Sequence, residues 1–203
     1  MKEKLTILVL ASLLAATACE EMYAPPPPPP PSRWPDLTSP ANVLRTVEAS
    51  FNYRAIDYLK DALSPNFVFY FDPRDVGKYP PGKNYVVPER WSSFEFWVAV
   101  NNMFNKAYTI DLSINTSGVG EPEPEEKTYL ADNIDLALLV MVDEKHGYIA
   151  DKGYCNFEFE SYPTKERKRN WRLTKWWDRT SVVNGKPDGV TPSSLGRILA
   201  LYQ

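Results

Sequence analysis

Histidine is nearly absent from this 203-residue chain, where His146 stands alone. Cysteine is almost as scarce, with only Cys19 and Cys155. These two shortages exclude several chemistries. No His and Cys cluster occurs at the spacings that hold zinc, so no metal ligand is assigned. A histidine-based acid–base site would rest on His146, which sits beside Gly147 in a predicted hairpin turn with solvent as its expected partner. There is no glycine-rich phosphate loop and no Gly-x-Ser-x-Gly elbow. Net charge is small as well. Without the first 18 residues the chain has 21 basic and 25 acidic side chains, a net charge of −4. A mildly acidic chain lacks the positive footprint that nucleic-acid binding requires, so no nucleic-acid partner is expected. Long apolar runs are also missing. Leu5 to Ala18 is the main one, and it is shorter than the roughly 20 residues of a bilayer-spanning helix.

Proline, by contrast, is abundant: 19 residues, seven of them in the run Pro25–Pro31. Ahead of that run, Lys2 and Lys4 flank Glu3, Leu5 to Leu14 is apolar, and Ala15-Ala16-Thr17-Ala18 supplies small residues. Ala16-Thr17-Ala18-Cys19 resembles a bacterial lipobox, with alanine where leucine is commonest. The resemblance implies export, cleavage before Cys19 and acylation of that cysteine, making Cys19 the expected lipid attachment site and the membrane the first expected partner. The alternative is an ordinary signal peptide cut at the same bond, which exports the chain without an anchor. Several acyl chains, at about 0.8 kcal/mol per buried CH₂, make a stable anchor where one is marginal. Residues 20–37 then read as a spacer, extended by polyproline II at about 3.1 Å per residue. Glu20 is not the aspartate associated with inner-membrane retention in some Gram-negative bacteria. The expected place is therefore the outer membrane, facing the periplasm.

About 165 residues remain, enough for one core. Ser39-Pro40 predicts a helix start, with Val43, Leu44, Val47 and Phe51 at helical spacing. A second short helix carries Ile56, Leu59 and Leu63, and Phe67 to Phe71 reads as a strand. Pro88-Glu89 opens a predicted third helix, to about Asn105, whose inward stripe is Trp91, Phe94, Trp97, Val98 and Asn101. Strands are predicted at Thr109–Asn115, Ile134–Val142, Tyr148–Tyr162 and Asn170–Thr180, with a closing helix after Thr191-Pro192-Ser193-Ser194. Helices ahead of an antiparallel meander predict an α+β fold.

Leu44–Leu63 as paired helices, Ser64-Pro65-Asn66-Phe67 into the first strand, and Trp171-Arg172-Leu173-Thr174-Lys175-Trp176-Trp177-Asp178 as the last strand carry a further resemblance. The chain resembles the nuclear transport factor 2-like superfamily, also described as cystatin-like or SnoaL-like, over about Ser39 to Thr180. The resemblance implies a curved antiparallel sheet wrapped around helices as a cone. With the N-terminal motif, the expected division is signal peptide (1–18), lipidated cysteine and proline-rich spacer (19–37), cone domain (38–180) and C-terminal extension with a short helix (181–203). The resemblance also implies a homodimer through the sheet. The superfamily hosts dehydratases, isomerases, epoxide hydrolases, transport factors and small exported proteins, so the fold does not decide the function.

Enzymes of this fold place acid–base groups inside the cone. The candidate pocket-lining residues here are Tyr53, Asp57, Tyr70, Trp91, Glu95 and Asp111, with Asp135 a further inward-facing candidate. Solvated helix positions account equally for Asp57 and Glu95, and core packing for the tyrosines. No pair is brought together by the pattern, so no catalytic residue and no cofactor is assigned. Cys155 alternates with Phe157 and Phe159 and is expected to be buried and inert. The turn Lys165–Arg169 reads either as a site for anionic head groups or as a charged cap on a sheet edge. Two functions stay open. One is an anchored, non-catalytic envelope protein that binds a small apolar ligand or a protein partner. The other is an acid–base lyase or isomerase with its site inside the cone.

Overall fold

A computed structural model describes residues 26–163, 169–180 and 188–203. The expected signal peptide, Cys19 and residues 165–168 of the basic turn lie outside the described residues.

Helix α1 (Pro40–Asn52) starts where the sequence predicts. The Ser39 hydroxyl accepts the Asn42 N–H at 3.2 Å, and Pro40 occupies a first-turn position that needs no N–H. Its stripe of Val43, Leu44, Val47 and Phe51 is fully buried. Helix α2 (Ile56–Ala62) runs directly into strand β1 (Leu63–Tyr70). After a proline-containing loop come β2 (Arg90–Ser92) and helix α3 (Ser93–Lys106). Strands β3 (Thr109–Ile114), β4 (Thr128–Met141), β5 (Gly147–Pro163) and β6 (Arg169–Thr180) form an antiparallel meander. Strand β7 (Val190–Pro192) and helix α4 (Leu195–Ala200) close the chain.

The result is an α+β fold whose sheet runs β2-β1-β6-β5-β4-β3. Register shifts in the β4–β5 and β5–β6 pairings mark irregularities that bend long strands, and the large sheet curves around the helices. The sheet is mixed rather than antiparallel throughout: β1 joins β6 in parallel, and β7 lies parallel to β5. Inner positions such as Ile110, Leu112, Leu138, Phe157 and Trp176 share one core with the helix stripes.

Three further features depart from the sequence expectation. The helix expected from Pro88 begins only at Ser93, because Ser92 and Glu95 form a capping box. The Ser92 N–H donates to the Glu95 carboxylate at 2.8 Å, and the Glu95 N–H donates to the Ser92 hydroxyl at 3.5 Å. Trp91 is consequently a strand residue opposite Phe69, and Phe94 is 69% exposed rather than inward. Second, the tail read as an extension joins the core: Leu195, Ile198, Leu199 and Ala200 are all fully buried. Third, the spacer does not end cleanly at residue 37, since the Leu37 carbonyl accepts the Trp171 N–H at 2.7 Å.

Gly189 makes β7 possible. Its φ is +81°, and a Cβ there would lie 1.9 Å from the Lys145 carbonyl oxygen. Gly189→Ala is expected to destabilise the chain by about 2–3 kcal/mol. A thermal melt checks this, and an unchanged midpoint would show that the turn re-routes freely.

Candidate functional site

A cone-type site needs space inside the sheet. Here the aromatic side chains that the strands and helices turn inward occupy it. Trp176 of β6 lies at the centre, with ring centroids 5.2 Å from Phe157, 5.7 Å from Phe69, 6.0 Å from Phe96 and 6.5 Å from Phe51. All five side chains have zero exposure, so none of them borders a void that admits water. The interior is a packed core.

The six predicted pocket residues are dispersed. Asp57 is on the surface, 3.7 Å from the Lys60 ammonium. Glu95 is exposed and committed to the α3 capping box. Asp111 is exposed on β3, and Asp135 is likewise exposed on β4. Tyr70 lies on the outer sheet face, stacked on Trp177 at 5.4 Å and 13°. Trp91 is buried, and its indole N–H donates to the Tyr85 hydroxyl at 2.7 Å. Tyr53 caps the end of α1 and is half-buried. Of the six, Tyr53 and Asp111 border one groove. His146 is exposed and within 2.9 Å of the Asp143 carboxylate across its turn.

Three described carboxylates are buried, Asp72, Asp75 and Asp178, and none of them is among the candidates the sequence offers. Trp176, Asp178 and Thr180 alternate onto the inner face of β6, and Asp178 has zero exposure. That parity was the available signal. One Asp178 oxygen accepts the Thr180 N–H at 2.8 Å and the Thr180 hydroxyl at 2.5 Å. The other accepts the Gly196 N–H at 2.7 Å. The Thr180 hydroxyl oxygen in turn accepts the Leu195 N–H at 2.7 Å. Asp178 therefore ties the end of β6 to the start of α4. Beside it, Arg74 grips Asp72 through Nε at 2.8 Å and Nη2 at 2.7 Å, and Nη2 also donates to the Thr180 carbonyl at 3.1 Å. The Ser194 hydroxyl donates to Asp75.

Burial pushes the Asp178 carboxyl up to about 6. At Asp72 burial opposes ionisation, but the Arg74 bonds and charge outweigh it and hold the carboxyl low. Burial, then the charge of Asp178, raises the Cys155 thiol, which keeps it protonated and unreactive. A carboxyl near 6 is the sort that acid–base catalysis uses. Here, however, both oxygens already accept donors from the fold itself, so Asp178 acts as a clamp.

Open space lies instead on the outer sheet face. A cleft of about 920 Å³ is bordered by Asp72, Asp135, Asp151, Tyr154 and Arg179 among others. A second cleft, of about 470 Å³, is bordered by Tyr70, Val76, Glu89 and Trp177. Pro73 and Arg179 border both, making them neighbours. Lys175 lies over the Trp177 ring at 5.7 Å and pairs with Glu158 at 2.9 Å. This face offers half-exposed aromatic rings among charges of both signs, which suits recognition. Among the described residues no group of three or more His, Cys, Asp or Glu is placed to hold a metal ion. None of the described helices is long and apolar enough to cross a membrane.

No family model matches the sequence, and no curated protein matches it. Solved structures similar to the chain include a conserved protein from Planctomyces limnophilus, with a TM-score of 0.43 and 13% identity over 70% of this chain and 92% of that one. A protein with a cystatin-like fold from Caulobacter vibrioides has a TM-score of 0.41 and 11% identity over 70% of this chain and 85% of that one. An LEH-like epoxide hydrolase from M. tuberculosis has a TM-score of 0.39 and 10% identity over 70% and 81%. The α+β architecture itself stands on this chain's own strand order and core.

Proposed function

We propose that the chain is a lipid-anchored envelope protein whose domain works by binding a protein partner on its outer sheet face, without catalysis. One observation supports this above the others: aromatic side chains fill the interior, while the outer face keeps Tyr70, Trp177 and Tyr154 accessible beside Asp135, Asp151 and Arg179. Tyrosine, tryptophan and arginine are the residues enriched at the centres of protein interfaces, and charged residues belong to the rim. The mixed charges also suit a second copy of the chain, because an isologous contact sets each patch against itself. A small apolar ligand inside the cone and a lyase site there both need space that Trp176 and its neighbours occupy.

Sedimentation of the unlipidated chain tests the partner face. The expected result is a concentration-dependent dimer that Trp177→Lys abolishes, with a melting temperature lowered by no more than about 5 °C for the lost stack on Tyr70. A monomer at every concentration would remove the second copy as partner. Mass spectrometry of the mature N-terminus tests the anchor separately, with acylated Cys19 as the expected result. An unmodified thiol would leave export standing and remove the lipid.

A further inference from the structure

The proline-rich segment, expected to be a free spacer, follows the surface of the domain. Its innermost part is tied to α1. The Pro35 carbonyl accepts the Thr46 hydroxyl at 3.4 Å, and the Asp36 carboxylate accepts the Asn42 side-chain amide at 2.7 Å. Trp34 stacks flat on Tyr58, at 3.8 Å and 9°, and meets Tyr53 edge-on at 6.2 Å. Further out, Pro26, Pro27 and Pro28 border a groove of about 360 Å³. One wall is Asn52, Tyr53 and Arg54, and the other is Tyr108 to Asp111. Tyr53 takes part in both contacts.

We infer that this groove is a polyproline-binding site roofed in cis by the chain's own run from Pro26, which forms its third wall, so that the run is a strap over the β3 edge. Polyproline II helices are recognised by aromatic walls, and they are stiff enough to lose little entropy on docking. Tyr53 and Tyr108 supply the rings. Arg54 holds the walls at a set spacing, since its guanidinium donates to the Phe104 carbonyl at 3.3 Å and the Tyr108 carbonyl at 2.8 Å. Pro26, Pro27 and Pro28 are themselves exposed, with the open space of the groove between them and the two walls, so the run bridges the groove rather than filling it.

The location explains what the strap does. β3 is an edge strand, with unpaired backbone groups that invite another strand. The helix covers part of it: the Asn52 side chain exchanges bonds of 2.6 and 2.9 Å with Leu112, and Glu48 accepts the Ile114 N–H at 2.8 Å. By strand alternation the next outward position is Ile110, which borders the groove beside the prolines. Proline has no N–H, so it covers an edge without extending the sheet. A second consequence rests on the lipid-anchor reading above. From Cys19 to Pro26 the chain reaches at most about 25 Å, against about 60 Å from Cys19 to Leu37. Docking thus holds the groove close to the membrane.

A cysteine pair tests the strap in the unlipidated chain carrying Cys19→Ser, with buried Cys155 left in place. Pro27→Cys with Asp111→Cys is expected to cross-link within the chain, through a short bis-maleimide, about 10-fold faster than Pro27→Cys with Phe94→Cys. Phe94 is exposed at the opposite end of α3, about 20 Å along the helix. Equal rates for the two pairs would overturn the inference. Replacing Pro26–Pro28 by Gly-Ser-Gly is expected to shift the Tyr53 and Tyr108 ring resonances and leave the Phe157 ring unmoved. Unchanged tyrosine resonances would likewise overturn it. Neither readout depends on the lipid or on a partner, so failure here is distinguishable from failure of the proposed function.

Discussion

Replacing Trp176 by alanine is expected to lower the unfolding free energy by about 4 kcal/mol and to open an apolar cavity at the centre of the domain. The size follows from the contacts. The indole ring is fully buried and meets aromatic rings from α1, β1, α3 and β5 at 5.2 to 6.5 Å. Truncating it removes packing among four elements that cannot all move inward together. Denaturant unfolding measures the loss. Indole adds a functional reading to the same variant. An apolar cavity binds a ligand of its own shape, so indole is expected to raise the melting temperature of Trp176→Ala and leave the wild-type chain unchanged. A wild-type chain stabilised by indole would show an open interior and would overturn the non-catalytic, partner-binding reading.

Asp178→Ala is expected to cost about 3 kcal/mol at pH 7, by undocking α4. The Thr180 N–H, the Thr180 hydroxyl and the Gly196 N–H all lose their acceptor. Each buried donor left unpaired costs about 1–3 kcal/mol. Opposing this, the substitution relieves the burial of a charge. Only a glycine fits at 196 in the wild-type chain, because a Cβ there would lie 2.6 Å from the Phe71 ring and 3.0 Å from Asp178 Oδ2.

The same carboxyl sets a pH dependence. Burial raises it in the folded chain from an ordinary 3.8 to about 6. Between those values the folded state holds a proton that the unfolded state has released, so stability rises as pH falls from 7 towards 4. The full effect is about 3 kcal/mol. Asp72, held low, acts in the opposite sense and loses its contribution only at more acid pH. Unfolding at pH 7 and pH 4.5 measures the gain, and Asp178→Asn is expected to abolish it. A wild-type chain less stable at pH 4.5 would show that the bonds to Asp178 outweigh its burial.

Much of this architecture is legible in the sequence because its signals are local. Ser39-Pro40 satisfies the first turn of α1 within four residues, so the helix start needs no distant partner. Alternation in Thr109–Ile114 is a property of one strand with one wet face, and the structure reproduces it position by position. The expected burial of Cys155 follows from the same parity. Local signals mislead where two of them compete. Trp91 and Phe94 fit a helical stripe, but the Ser92–Glu95 capping box starts the helix beyond Trp91 and leaves Phe94 in solvent. The clamp at Asp178 is illegible in the sequence for a different reason. Its donors come from Thr180 and Gly196, and a carboxylate in a strand announces neither.

The sequence by itself determines the order of the helices and the five long strands, though not the short strands β2 and β7, together with the α+β class, since these depend on composition and on spacing within single segments. It also carries the Ala16-Thr17-Ala18-Cys19 motif from which the anchor is proposed. Only the tertiary structure decides that aromatic rings fill the inner side of the sheet, that Asp178 clamps α4, and that the proline run borders one groove with Tyr53 and Tyr108. Those outcomes depend on which side chains meet across 15 to 125 residues of chain, as Phe51 meets Trp176. A spacing pattern fixes the face on which a residue lies, but not what stands opposite it.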